Sequence, residues 1–97
     1  MLSDAQIRAV ARTLAEGVVP PDVELLIFGS RSHGNLLKQY SDLDICLRGR
    51  KCVPSEMIQR LKEAYDESNL PVKVDVVDWH ALSAEFQNAI ARDLKPL

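Results

Sequence analysis

An uninterrupted apolar run, Leu25-Leu26-Ile27-Phe28, ends at Gly29-Ser30 and constrains the fold more than any other feature of the sequence. Runs of this kind are typical of strands that are covered on both faces. A strand covered on both faces needs a sheet with further layers packed against it. We therefore predict that residues 23–28 form a strand inside a layered domain.

Two further segments, residues 43–47 and 72–77, alternate between apolar and other residues with the period of a β-strand. Their apolar faces comprise Leu43, Ile45, Leu47, Val72, Val74 and Val76. Helical patterns fill the rest of the chain, so the predicted order is helix, strand, short helix, strand, helix, strand and helix. The short helix is expected within residues 32–38.

The helices are predicted from caps and from apolar spacing. Ser3 and Gln6 have the spacing of a capping box, which starts the first helix. The apolar positions predicted for the first, third and last helices are Ile7, Val10, Ala11 and Leu14; Ile58, Leu61 and Tyr65; and Leu82, Phe86, Ala89 and Ile90.

Strands interleaved with helices predict an α/β fold. We expect a mixed sheet of three strands, or slightly more, with the helices packed mainly on one face. A length of 97 residues suits one domain over residues 1–97. It is too short for a catalytic domain with a full acceptor-binding domain, so a large second substrate is expected to need another chain or a second copy.

Composition excludes several classes of function. A net charge of −2 gives no excess of basic residues for a general nucleic-acid-binding surface. No apolar run reaches the roughly 18–20 residues of a membrane span, and the N-terminus lacks the pattern of a secretion signal. Cys46 and Cys52 form no CxxC pair, which argues against a zinc site. We expect a cytoplasmic protein with reduced thiols and no membrane partner.

Three aspartates carry the chemical information in this sequence. Asp42 and Asp44 share one face of the second predicted strand, and Asp75 lies on the face of the third strand opposite its valines. If the two strands are neighbours, the three carboxylates converge. Converging carboxylates repel one another unless a cation compensates, and their oxygens suit Mg²⁺. Two such ions can promote an in-line displacement at phosphorus. The alternative interpretation is that these acids only make an exposed strand face soluble.

Gly29-Ser30 joins the first strand to the predicted short helix. A turn of this kind presents free backbone N–H groups, and a helix N-terminus favours anions. Glycine allows a phosphate to approach the backbone closely. Arg31 follows in the sequence and could neutralise phosphate charge, although it could equally be a surface residue. A plain turn is the alternative interpretation of Gly29-Ser30.

In these residues the sequence resembles the DNA polymerase β-like nucleotidyltransferase superfamily, and more narrowly its minimal nucleotidyltransferases. The resemblance covers residues 23–90. It is carried by three ordered motifs, Phe28-Gly29-Ser30-Arg31-Ser32-His33-Gly34, Tyr40-Ser41-Asp42-Leu43-Asp44 and Val74-Asp75-Val76-Val77-Asp78-Trp79.

The resemblance implies transfer of a nucleoside monophosphate, with ATP as the expected donor and pyrophosphate as the leaving group. It implies that Gly29 and Ser30 hold the phosphates, that Asp42 and Asp44 bind Mg²⁺, and that Asp75 completes the metal site. It also implies a helical partner protein of the HEPN or substrate-binding type in a hetero-oligomer. In some such pairs the nucleotidyltransferase is an antitoxin that adds AMP to a tyrosine of a toxin.

Two classes of function are therefore open. The first is a Mg²⁺-dependent nucleotidyltransferase, which we favour. The second is a non-catalytic nucleotide-binding or partner-covering module that neutralises or regulates a HEPN-type partner, through the first helix or through residues 82–94. A third possibility, an antibiotic-modifying enzyme, would need a dimer to build its acceptor site.

Overall fold

The computed structural model describes residues 2–29 and 43–97. Its elements are α1 (Asp4–Glu16), β1 (Glu24–Phe28), β2 (Leu43–Arg48), α2 (Ser55–Glu67), β3 (Val74–Asp78), a 3-10 helix (Trp79–Ala81), α3 (Ala84–Ile90) and β4 (Lys95–Pro96). The predicted short helix within residues 32–38 lies outside the described ranges. Within those ranges, no helix has both the length and the apolar character needed to span a membrane.

The strands form one mixed sheet in the order β3-β2-β1-β4. β1 is antiparallel to both β2 and β4, whereas β2 and β3 are parallel. The parallel pair is joined through α2, as parallel neighbours require a crossover connection. The predicted α/β fold is confirmed, and the sheet gains a fourth strand of two residues. So short a strand has no recognisable period in the sequence.

The main core lies between one face of the sheet and the helices α1 and α2. It comprises Ile7, Ala11, Ala15, Val19, Ile27, Leu43, Ile45, Leu47, Val53, Leu61, Tyr65, Val74 and Val76. The Tyr65 hydroxyl donates to the backbone oxygen of Ala11 at 2.8 Å and ties α2 to α1. Burial raises the pKa of this hydroxyl, so Tyr65 stays a neutral donor.

Local sequence signals set the start of α1. The Ser3 side chain accepts from the backbone N–H of Gln6, and the Gln6 side chain accepts from the backbone N–H of Ser3, which confirms the capping box. The predicted apolar face needs one correction, because Val10 is 40% exposed. Ile7, Ala11 and Ala15 are the buried residues of α1, so the buried stripe is displaced from Val10.

Asp78 is a buried carboxylate with a structural function at the end of β3. One of its oxygens accepts from the backbone N–H of Val53 at 2.9 Å, and the other accepts from the backbone N–H of His80 at 3.2 Å. The His80 ring donates through Nε2 to the backbone oxygen of Gly49 at 2.8 Å. Asp78 is therefore the N-cap of the 3-10 helix and also ties the end of β3 to Val53.

We predict that Asp78→Ala lowers the free energy of unfolding by about 1–3 kcal/mol, because it leaves the buried N–H of Val53 without a partner. Urea denaturation measures the change. Asp66→Ala is the matched control, since Asp66 is exposed on α2 and should change stability by no more than about 0.5 kcal/mol. Equal effects of the two substitutions would contradict the structural assignment of Asp78.

Candidate active site

The sheet face opposite α1 and α2 has a covered centre. Leu26 of β1 and Cys46 of β2 are paired across the strands, and both are buried. Ile90 of α3 is buried as well, and Gln87 of α3 donates through Nε2 to the backbone oxygen of Trp79 at 2.7 Å. We conclude that α3 packs on the centre of this face and leaves part of the adjacent row of side chains accessible, because Asp75 in that row is exposed.

Phe28, Asp44 and Asp75 form that adjacent row. Phe28 of β1 is paired with Asp44 of β2, and Asp44 is paired with Asp75 of β3. Paired residues project from the same sheet face, and neighbouring strands lie about 4.8 Å apart. The register therefore makes β2 and β3 neighbours and pairs Asp44 with Asp75, which is the condition that the predicted convergence of the carboxylates requires. Asp42, the third predicted acid, lies outside the described residues.

The two carboxylates differ in their surroundings. Asp44 is half-buried between two neighbouring strands, whereas Asp75 is exposed on the edge strand β3. Like charges on adjacent strands repel, and a divalent cation between them would offset this repulsion. Their hard oxygen donors fit Mg²⁺ in chemistry. Residues 2–29 and 43–97 contain no cluster of three metal-ligating side chains, so the described part of this site consists of two carboxylates.

Gly29 begins the turn directly after β1, and its backbone geometry disfavours residues with a Cβ. Its φ is +83°, in the left-handed region that L-residues with a Cβ avoid. A Cβ at this position would lie 2.9 Å from Oδ2 of Asp44. Gly29 therefore permits the turn and also makes room for the carboxylate. Ser30 and Arg31, the other predicted phosphate-binding residues, lie outside the described residues.

The opposite end of this face is basic and aromatic. Arg48 pairs with Glu24 through two hydrogen bonds of 3.0 and 3.2 Å, and its guanidinium lies 5.5 Å from the ring centroid of Trp79. Arg48 is the last residue of β2 and already has a carboxylate partner.

Sequence reasoning missed an aromatic pair beside the acids. The rings of Phe28 and Phe86 meet edge to face, with centroids 6.2 Å apart and planes at 88°. Phe86 was expected in the apolar face of the last helix, yet it is 43% exposed. Ile90 is the buried residue of α3, so the buried side of this helix is displaced from Phe86. The helical spacing that signalled Phe86 could not show on which side of the sheet α3 would pack.

Comparisons with known proteins agree with this geometry. Residues 7–96 match the model of the nucleotidyltransferase domain family. The chain is 38% identical to the probable protein adenylyltransferase MntA of Haemophilus influenzae over 84 residues, which cover 87% of this chain and 72% of that protein.

Two solved structures have a similar fold. One is described as a minimal nucleotidyltransferase; it superposes with a TM-score of 0.76 at 24% identity and covers 99% of this chain and 97% of its own. The other is a tri-AMPylated Shewanella oneidensis HEPN toxin in complex with an MNT antitoxin. It gives a TM-score of 0.62 at 20% identity and covers 96% of this chain and 70% of its own.

We predict that Gly29→Ala destabilises the fold by about 1–2 kcal/mol, because the left-handed backbone becomes strained and the new methyl group meets Asp44. Thermal or urea unfolding measures this change. Gly17→Ala is the control: Gly17 has a φ of −75°, and its added Cβ would come no closer than 3.4 Å to Leu14. This control should be neutral or stabilising. Equal losses in both variants would refute the steric argument.

We also predict that the two thiols differ in reactivity. Burial raises the pKa of the Cys46 thiol to about 11, so few thiolates form at pH 8. Cys52 is exposed. A colorimetric thiol reagent at pH 8 should therefore modify one cysteine per native chain and two per chain in denaturant. Rapid modification of both in the native protein would show that α3 does not cover the centre of the sheet face.

Proposed function

Because the chain belongs to the nucleotidyltransferase domain family, we propose that it transfers AMP from ATP to a hydroxyl group presented by a partner protein. The curated relative at 38% identity is named a protein adenylyltransferase, which supports AMP as the transferred group and a protein as the acceptor. The row of Phe28, Asp44 and Asp75 next to the Gly29 turn is the structural observation that carries this proposal.

We propose that the partner is a helical HEPN-type protein and that this chain is the antitoxin of the pair. The support is the structural similarity to an MNT antitoxin that is in complex with an AMPylated HEPN toxin. The domain of residues 1–97 then supplies the nucleotide site, and the partner supplies the acceptor hydroxyl. In this arrangement a hetero-oligomer forms in the cytoplasm.

Six residues form the proposed site. Gly29, Ser30 and Arg31 bind the phosphates, and Asp42, Asp44 and Asp75 hold Mg²⁺. The support from the described residues is that Gly29 lies against Asp44, so a phosphate at this turn would be beside the Asp44 carboxylate. A bound Mg²⁺ would supply charge neutralisation for the phosphates and for the developing pyrophosphate.

The proposed reaction is a substitution at the α-phosphorus of ATP. The acceptor oxygen forms a bond to this phosphorus, and the bond to the bridging oxygen of the β-phosphate breaks. Pyrophosphate leaves with the electron pair of that bond. Asp75 accepts the proton of the acceptor hydroxyl. Such reactions depend mostly on positioning and on charge stabilisation, which a small domain can supply.

The surroundings of the two carboxylates suit different tasks. Asp44 is half-buried and lies against Gly29, so its position is restricted by the backbone. A restricted carboxylate is suited to holding a cation at a fixed point. Asp75 is exposed on the edge strand, where an incoming hydroxyl group can reach it. This accessibility supports Asp75 as the proton acceptor.

We predict that Asp44→Asn and Asp75→Asn each reduce AMP transfer by at least about 100-fold, because each removes charge that the reaction needs. The assay uses ATP labelled at the α-phosphate, Mg²⁺ and the purified partner, and it measures label on the partner. Chelation of the metal should also abolish labelling. Asp66→Asn on α2 is the control with the same chemical change at an exposed site away from the acids.

The same assay distinguishes the non-catalytic alternative. Full labelling by both active-site variants would contradict the proposed catalytic site. If no label forms with the wild type while the partner is still neutralised, the chain acts by covering its partner. Circular dichroism of each variant shows whether a loss of labelling follows from a loss of fold.

A further inference from the structure

Phe86 is an exposed aromatic residue on the same sheet face as the acids. In the described residues, the large hydrophobic side chains with the greatest exposure are Leu2, Val10 and Phe86. Val10 belongs to α1, whose helix packs on the opposite face of the sheet. Phe86 contacts Phe28, the residue that is paired with Asp44 and precedes Gly29. Single exposed hydrophobic residues are common, so the position of Phe86 matters more than its exposure.

The Phe86 ring packs against Phe28 and is not enclosed. Since the planes meet at 88°, an edge-to-face contact can occupy no more than one face of either ring. Phe86 is 43% exposed, so a large part of this residue is in contact with solvent. The backbone below this ring is also held, because Gln87 donates to Trp79 and Ile90 is buried. A flat ligand could therefore bind an aromatic surface that is already oriented.

We propose that the exposed ring surface of Phe86 stacks against the nucleobase of the nucleoside triphosphate; this inference rests on the proposed function. Gly29 follows Phe28 in the chain, and the Phe86 ring centroid lies 6.2 Å from that of Phe28, so the phosphates and the base would bind next to the same residue. Every base has a π-face, so stacking adds affinity for all nucleotides and discriminates weakly among them. In this proposal Phe86 contacts the base only and makes no contact with the phosphates.

The chemistry of the site makes such a contact useful. Two carboxylates repel a bare triphosphate, so phosphate binding depends on the accompanying cation. Stacking on an apolar ring carries no charge and is independent of that cation. Stacking of the base would consequently add to the affinity for the nucleotide without being weakened by repulsion from the carboxylates.

The test compares two ligands that share phosphates and differ in the base. Dissociation constants for ATP and for inorganic tripolyphosphate, both with Mg²⁺, are measured by isothermal titration calorimetry. Phe86→Ala should weaken ATP binding by about 5-fold to 100-fold, the range observed when stacking residues are replaced by alanine. Its affinity for tripolyphosphate should stay within twofold of the wild type. GTP binding should weaken by a similar factor to ATP binding.

Three further variants make the result decisive. Phe86→Leu keeps an apolar side chain without a π-face and should lose ATP affinity, whereas Phe86→Tyr should retain it. Val10→Ala removes a side chain of similar exposure from the opposite side of the molecule and should change neither affinity. Equal weakening of ATP and tripolyphosphate, or full ATP affinity in Phe86→Leu, would overturn the inference. Failure of the wild type to bind ATP would instead overturn the proposed function and the inference with it.

Discussion

The close approach of the Asp44 carboxylate to the backbone of Gly29 is the constraint on which the rest of the candidate site depends. A Cβ at Gly29 would lie 2.9 Å from Oδ2 of Asp44, and the φ of +83° independently disfavours any residue with a Cβ. The antiparallel register pairs Phe28 with Asp44 and so brings Gly29, the next residue, close to the Asp44 carboxylate. One glycine thus connects the turn proposed to bind phosphate with the carboxylate proposed to bind the cation. The parallel register of β2 and β3 then adds Asp75 beside Asp44.

The two faces of the sheet differ in character. One face carries the main hydrophobic core, and the other carries the row with the two acids. On one face, α1 and α2 bury a continuous core, and Tyr65 and Asp78 make buried hydrogen bonds to Ala11 and Val53. The other face is only partly covered by α3. Burial of like charges is costly, so the acidic row can persist only where it stays accessible to water or to a cation. α3 reaches this row at Phe28 through Phe86, while Asp44 stays half-buried and Asp75 exposed.

Sequence patterns predicted the parts of this structure that depend on local chemistry. The alternation of apolar residues in residues 43–47 placed Asp44 opposite the core, and the Ser3 and Gln6 spacing located the start of α1. Features that depend on pairing between distant segments were missed. β4 consists of two residues whose pairing with Leu26 and Ile27 leaves no period in the sequence. The contact between Gly29 and Asp44 needs the strand register, and the exposure of Phe86 needs the packing side of α3, neither of which spacing reveals.

The charges near the acids determine how a nucleotide can bind. A triphosphate and two carboxylates are all negative, so their direct association is unfavourable. Among the described residues, Arg48 is on the same face, but it pairs with Glu24 and stacks on Trp79 at the other end of β2. It is therefore already engaged away from Asp44. If the chain binds a nucleotide as proposed, these carboxylates favour one that arrives with its cation, and metal binding and nucleotide binding then depend on each other. The aromatic pair of Phe28 and Phe86 is the uncharged part of the same surface. Any affinity for a nucleobase that this pair contributes does not depend on a bound cation.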